Sequence, residues 1–233
     1  MLQLGFSQAT LLQSDCNAIL IDTGIRVGAE KYARLLAAVQ MELQDIKLIV
    51  ITHGHSDHYG EAAMLQKLTG APILCHEKAA MYLSSGQNAA IVARNALGDK
   101  VSKLLRHDVL TAAVPVIPDI TITAGFDLSS YGFPGKIIPT PGHTDCSLSV
   151  VLASGQAVTG DLIVANPFGG KPCLAYFAVS EQALFASVKK LLDCAHTLYS
   201  GHGGPFYREA VNSCLLAEYK HTGLDLLPRI SLP

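Results

Sequence analysis

The feature that most constrains this 233-residue chain is a cluster of three histidines and one aspartate within six residues, His53-x-His55-x-Asp57-His58. An apolar run over 47–52 (KLIVIT), predicted as a buried β-strand, ends directly before it. Alternate residues at a strand end point the same way, so His53 and His55 can share one ion. Asp57 and His58, on the turn that follows, can face a second ion. The cluster therefore predicts a metal site at the end of a core strand.

Three further candidate ligands follow predicted strands, and each comes after a glycine: His143, Asp161 and His202. A glycine lets the backbone approach a ligand sphere without a Cβ clash. Five imidazoles and two carboxylates exceed what one catalytic zinc uses, because such an ion takes about three protein ligands and keeps a position for water. Imidazole with carboxylate suits zinc, iron or manganese, and no cysteine is among the candidates. Two divalent ions are the expected cofactors, and metal-assisted hydrolysis is the predicted reaction type.

Composition excludes several other classes of function. Hydrophobic residues make up 49% of the chain and charged residues 15%, which is typical of a folded protein and not of a disordered one. The formal charge of −2 offers no basic excess for nucleic acid. No run approaches the roughly 20 apolar residues that span a membrane, and the N-terminus does not resemble a secretory signal. The six cysteines have no C-x-x-C spacing, so we expect reduced thiols. Together these features predict a cytoplasmic enzyme with a small-molecule substrate.

Short apolar runs alternate with helical patterns along the chain, which indicates a layered α/β fold. We predict a single domain over 1–233 with a mostly helical insertion at about 84–118, including a helix over 88–106. The insertion carries no evident chemistry, so scaffold is its simplest interpretation. A lid or wall over the site and a contact surface in a homodimer are the alternatives.

The combined pattern resembles the metallo-β-lactamase fold superfamily over nearly the whole chain, from the turn Asp22-Thr23-Gly24 to His202. The resemblance implies a four-layer αββα sandwich with a dinuclear site at one edge of its two sheets. It also implies that the first metal is held by three histidines, the second by an aspartate and two histidines, and that both are bridged by one aspartate. These sets are His53, His55 and His143; Asp57, His58 and His202; and Asp161. The resemblance further implies that Asp57 orients the hydroxide and passes its proton to the leaving group.

Within that superfamily, the residues favour a subgroup similar to glyoxalase II. His55 stands where flavodiiron proteins have glutamate, and Asp161 stands where a large subclass of zinc β-lactamases has cysteine. The C-terminal helical domain that binds glutathione in glyoxalase II is not expected, because about one helix follows His202.

The leading hypothesis is a dinuclear hydrolase of a small ester-like substrate, a thioester or a lactone, by attack of metal-bound hydroxide. Zinc is the first choice of metal, with iron or manganese as alternatives. A persulfide dioxygenase with one iron on His53, His143 and Asp161 is the competing enzyme hypothesis. A degenerate member whose metal serves folding or partner binding is the non-enzymatic one.

Residues outside the seven ligands carry weaker hypotheses. Lys171 and Tyr176 are candidates for substrate binding, as a cation for a carboxylate and a donor to an oxyanion, in a loop that also holds Phe177. Asp22 and Asp145 are candidates for orienting the ligating imidazoles. The remaining four histidines are assigned no function: His76, His107, His196 and His221.

Overall fold

The computed structural model describes residues 1–14, 17–105 and 112–222. Its first sheet has six strands whose spatial order is their order in the chain: β1 (Leu2–Leu4), β2 (Ser7–Gln13), β3 (Ala18–Ile21), β4 (Ile46–Val50), β5 (Ile73–His76) and β6 (Ile120–Ile122). β1, β2 and β3 pair antiparallel, whereas β3 to β6 pair parallel. β3, β4 and β5 are almost entirely apolar, which is typical of parallel strands covered on both faces.

The second six-stranded sheet follows in the chain, with a small ribbon inserted in it. Its strands are β7 (Phe126–Asp127), β8 (Gly135–Pro139), β9 (Leu148–Leu152), β10 (Gln156–Val158), β13 (Thr197–Tyr199) and β14 (Phe206–Tyr207). Their spatial order is β14-β13-β10-β9-β8-β7. The two-stranded ribbon between β10 and β13 pairs β11 (Ile163–Ala165) with β12 (Pro172–Leu174).

The helices lie in the connections and at the C-terminal end. They are α1 (Ala29–Ala37), the single turn α2 (Ser56–Tyr59), α3 (Ala62–Thr69), α4 (Glu77–Ser85), α5 (Ala96–Leu105), α6 (Glu181–Leu192) and α7 (Arg208–Thr222). Ser180 caps α6 as its sequence predicts, because its side chain accepts a hydrogen bond from the backbone N–H of Ala183 at 3.2 Å. Among the described helices, none combines the length and the apolar character needed to cross a bilayer.

Three apolar layers confirm the αββα sandwich. Between the two sheets, side chains of β3, β4 and β5 meet those of β8, β9 and β10. The other face of the first sheet packs against α1, α3 and α4. The other face of the second sheet packs against α6 and α7. Each sheet is therefore covered on both faces, and the four layers follow from three separate cores.

The strand directions bring all the candidate ligands to one edge. β3 and β4 run parallel with Ile21 opposite Val50, so both strands end at the same level. In the second sheet β10 and β13 run parallel, and β8 has the same direction because β9 is antiparallel to both of its neighbours. A backbone hydrogen bond from Leu148 N to Thr52 O, 2.8 Å, joins the two sheets at this edge.

The insertion predicted as mostly helical is less helical than expected. Of 84–118, residues 106–111 lie outside the described part, and α5 covers only the last part of the helix predicted over 88–106. The preceding residues are irregular because their backbone groups bond to distant segments. The N–H of Ala89 donates to Gly54 O at 2.8 Å, and that of Arg94 donates to Tyr176 O at 3.0 Å. We call residues 88–95 the strap, since it runs across the ligand-bearing edge.

Replacing Leu48 with alanine tests the packing of the two sheets. Leu48 is fully buried in the layer between them, so the cavity left by Leu48→Ala should lower the free energy of unfolding by about 2–5 kcal/mol. Leu68→Ala, at a position 40% exposed on α3, should change it by less than about 0.5 kcal/mol. Denaturant unfolding measures both. Equal effects of the two variants would contradict this packing.

Candidate metal centre

The first group of ligand atoms consists of three imidazole nitrogens at the shared edge of the sheets. His53 Nε2 lies 3.0 Å from His55 Nδ1, and His143 Nε2 lies 3.2 Å and 3.1 Å from these two atoms. All three side chains are buried. His53 and His55 follow β4, whereas His143 follows β8, so each sheet contributes to the group.

The protons of these imidazoles face away from the group. His143 Nδ1 donates to Phe177 O at 2.8 Å, which leaves Nε2 with a bare lone pair. Thr52 Oγ1 gives its own proton to Asp22, so it accepts from His53 Nδ1 at 3.0 Å and leaves that Nε2 bare as well. Two bare nitrogens 3.2 Å apart repel each other unless a cation lies between them and His55. The donor set therefore fits a metal ion.

The second group joins residues of α2 to residues that follow β10 and β13. Asp57 Oδ2 lies 3.2 Å from His202 Nε2 and 3.9 Å from His58 Nε2. Asp161 reaches the same atoms, with Oδ1 3.2 Å from His58 Nε2 and Oδ2 3.2 Å from His202 Nε2. Asp161 Oδ2 is also 4.0 Å from His143 Nε2, so this carboxylate lies between the two groups.

The histidines of the second group also direct their protons outward. His58 Nδ1 donates to Asp22 Oδ2 at 2.8 Å, and His202 Nδ1 donates to Phe6 O at 3.0 Å. Their Nε2 atoms then point at the carboxylate oxygens of Asp57 and Asp161. A buried pair of carboxylates requires positive charge beside it, which either protons on these nitrogens or a metal ion supplies.

Burial and charge divide the histidines into two electrostatic kinds. Burial among other imidazoles lowers the pKa of His55 to about 3 and lowers the pKa of His53 and His143 as well. Burial alone would also lower the pKa of His202, but Asp161 and Asp57 outweigh it and raise this pKa to about 10. The imidazoles of the first group are therefore neutral, whereas those of the second group lie beside the negative charges of Asp57 and Asp161.

The ionisation of Asp57 follows from the same field. Burial raises the pKa of Asp57, but His58 and His202 outweigh this effect and lower the pKa to about 2. Asp57 is therefore a carboxylate at neutral pH. Buried carboxylates and neutral imidazoles together match divalent zinc, iron or manganese.

Asp22 orients His58, as the sequence suggests, and it does more than that. Its Oδ1 accepts the backbone N–H of Thr52 at 2.8 Å, and its Oδ2 accepts both Thr52 Oγ1 and His58 Nδ1 at 2.8 Å. Asp145 does not act in this way. It lies at the surface, half exposed, 3.1 Å from Lys78 Nζ.

At two positions that directly precede a ligand, a side chain would collide with neighbouring atoms, so only glycine fits. A Cβ at Gly201 would overlap His58 Cε1 and come within 2.6 Å of Asp161 Oδ1. A Cβ at Gly160, where φ is +53°, would lie 2.8 Å from Thr52 Oγ1. The glycine that precedes a ligand in the sequence therefore marks a close approach of backbone to the site.

A cavity of about 380 Å³ opens onto both groups. Its walls come from five separate parts of the chain, among them Ser102 of α5, and are mostly apolar: Phe6, Ile91, Val164, Pro167, Ala175 and Phe177. Tyr176 is part of the wall, whereas Lys171 is exposed on the turn between β11 and β12 and is not. No lysine or arginine is among the lining residues of the described chain.

Sequence reasoning missed the contribution of the N-terminal hairpin β1–β2, whereas it offered 84–118, which contains the strap, as a possible wall of the site. The turn of that hairpin supplies the Phe6 carbonyl to His202, and the Phe6 ring stacks on the His202 ring with centroids 5.9 Å apart. No local signal in the sequence marks a contact between residues so far apart in the chain. The histidines assigned no function remain outside the site. His76 caps α4, His196 is exposed, and His107 and the side chain of His221 lie outside the described part.

Comparison with known families agrees with this site. The family model of the metallo-beta-lactamase superfamily matches residues 2–202, which span every candidate ligand. The chain belongs to this superfamily. It is a metal-dependent hydrolase of that family, and its relatives carry corresponding names. A probable metallo-hydrolase of Methanocaldococcus jannaschii is 28% identical over 71% of this chain and 71% of the relative. One of Bacillus subtilis is 27% identical over 80% of this chain and 75% of the relative.

Solved structures of superfamily proteins share the fold. The chain is similar to BLEG-1 B3 metallo-beta-lactamase, with a TM-score of 0.69 and 21% identity over 90% of this chain and 94% of that one. It is also similar to TTHA1623 in a di-iron-bound form, with a TM-score of 0.62 and 22% identity over 88% of this chain and 92% of that one.

Replacing Asp22 with asparagine should weaken metal binding. An amide nitrogen in place of one oxygen would face a donor, because three donors already point at this carboxylate. Asp22→Asn should therefore lower metal affinity about 10–100-fold, measured by chelator competition. Asp193→Asn, an exposed residue at the end of α6, is the matched control. Wild-type affinity in a folded Asp22→Asn protein would show that this carboxylate does not orient a ligand.

Proposed function

We propose that the chain is a dinuclear hydrolase of a small ester-like substrate, a thioester or a lactone. The observation that carries the proposal is the pair of ligand groups joined by Asp161. In this proposal His53, His55 and His143 hold the first ion. Asp57, His58 and His202 would hold the second ion, and Asp161 would contribute its carboxylate to both. The di-iron-bound form of a similar structure supports a count of two.

Zinc is the metal we propose first, with iron or manganese as the alternatives that the same ligands accept. Two such ions would supply a hydroxide nucleophile near neutral pH and positive charge for the developing oxyanion. Asp57 is ionised and buried beside the second group, so its carboxylate can orient the nucleophile, take its proton and pass it to the leaving group.

The cavity supports an uncharged, ester-like substrate. Its apolar wall suits an acyl group, and its lining lacks a lysine or arginine that would pair with a substrate carboxylate in the described chain. Tyr176 is the wall residue that we propose as a donor to the oxyanion. Burial raises the pKa of Tyr176, so the phenol keeps its proton at neutral pH.

We place the enzyme in a subgroup similar to glyoxalase II, a proposal supported by the position of Asp161 between the two ligand groups. A cytoplasmic location belongs to the same proposal. It is supported by the five described cysteines, which are all free thiols.

Metal content and substrate turnover test the proposal together. Protein purified without chelator should contain two equivalents of divalent metal per chain and hydrolyse members of a panel of thioesters and lactones. The same protein is assayed with glutathione persulfide under air. One iron per chain with oxygen consumption would overturn the proposal in favour of a mononuclear persulfide dioxygenase on His53, His143 and Asp161.

Replacing Asp57 with asparagine tests the role of its carboxylate. Asp57→Asn keeps the shape of the side chain and removes its charge, so kcat for hydrolysis should fall about 10²–10⁴-fold, measured at full metal loading. Asp127→Asn, on the exposed strand β7, should leave kcat unchanged. Hydrolysis at the wild-type rate in Asp57→Asn would refute the assigned role.

A further inference from the structure

Arg94, in the strap, makes a set of contacts that the proposed reaction does not use. Its side chain is only 3% exposed. Nε lies 3.1 Å from Glu181 Oε1, Nη1 donates to Ala175 O at 2.7 Å, and Nη2 lies 2.7 Å from Glu218 Oε2. A guanidinium buried to this extent is costly unless its donors are paired, so these contacts determine where the strap lies.

Glu218 connects Arg94 of the strap to the C-terminal helix α7. Its Oε2 pairs with Arg94, and its Oε1 accepts the backbone N–H of Leu174 at 3.3 Å. One carboxylate of α7 thus contacts both the strap and the last residue of β12. α7 lies beyond the residues 2–202 that the family model matches, so this contact is a feature of the chain outside the shared part.

The residues held by this pair form the cavity wall. Ala175 and Tyr176 line the cavity directly after Leu174. Arg94 holds both of them, through Ala175 O and through its own N–H to Tyr176 O at 3.0 Å. The next residue, Phe177, supplies the carbonyl that orients His143.

We propose that Arg94 and Glu218 are positioning residues that hold the cavity wall, so that α7 sets how the substrate is bound. Neither residue lines the cavity or belongs to the two ligand groups. They act through the wall segment 174–177. The proposal rests on the proposed function for its kinetic measurement only, and a second measurement does not depend on any substrate.

Substitution of Glu218 distinguishes a positioning role of this residue from a contribution to stability alone. Glu181 still pairs with Arg94 when Glu218 is removed, and Glu218 is itself partly exposed, so Glu218→Ala is expected to fold. Glu218→Gln keeps an oxygen for the Leu174 N–H, but it loses the charge and turns an amide NH2 toward Arg94 Nη2. Glu209→Ala, an exposed glutamate at the start of the same helix, is the matched control.

The experiment compares the three variants with wild-type holoenzyme in two measurements. In Glu218→Ala, kcat/KM for the best panel ester should fall about tenfold, because the displaced wall carries both the substrate contacts and Tyr176, the proposed donor to the oxyanion. Amide hydrogen exchange over 172–178 and 88–94 should become about tenfold faster or more. Glu218→Gln should show smaller changes of the same kind, and Glu209→Ala none.

Several outcomes would overturn the inference. Unchanged kcat/KM and unchanged exchange in folded Glu218→Ala would do so, even if Tm falls, since a purely structural contact lowers Tm without changing kcat/KM. Uniformly faster exchange over the whole chain would also do so. If Glu218→Ala does not fold, the same criteria apply to Glu218→Gln. If no ester in the panel is hydrolysed, the proposed function fails and the exchange measurement alone decides the positioning role.

Discussion

The carboxylate of Asp22 is the contact on which the arrangement of the metal centre depends. It lies at the end of β3, buried and at a φ of +62°, a conformation that aspartate tolerates better than most residues. Its two oxygens accept the backbone and side chain of Thr52 and the ring of His58. One side chain thereby joins the ends of two neighbouring parallel strands to the loop that carries four ligands.

The site stores electrostatic repulsion that only positive charge can relieve. Imidazoles hydrogen-bond outward through Nδ1, to Phe177 O, Phe6 O, Thr52 and Asp22, and so turn their Nε2 atoms inward. In the same space, Asp57 and Asp161 remain ionised despite burial. Such a concentration of acceptors opposes folding, and the three apolar layers of the sandwich supply the free energy that holds it together.

The sheets and the connections contribute different parts of the cavity. Ligands lie at strand ends, where two rigid sheets determine their separation. The wall comes instead from the hairpin turn at Phe6, the strap and the segment after β12. These parts are held by contacts between distant segments, among them the ion pair of the buried Arg94 side chain with Glu218. The metal centre can therefore be shared across a family whose substrate walls differ.

The sequence alone predicted the candidate ligand set and determined the layered fold. His53, His55, Asp57 and His58 lie within six residues, and the other three candidates each follow a strand and a glycine, so short-range patterns were sufficient to propose them. The predicted secondary structure is confirmed where the apolar pattern is strong, as in β4. It failed in the strap, where bonds to Gly54 and Tyr176 replaced the helical pattern.

Only the tertiary structure decided which side chains surround the ligands. It brought Phe6 to His202 and Phe177 to His143, and it placed Asp145 and Lys171 away from the cavity. The physical reason is the separation along the chain between the residues that make each contact. A ligand loop is recognised from neighbours a few residues apart, whereas a wall contact joins segments that approach each other only after both sheets have formed.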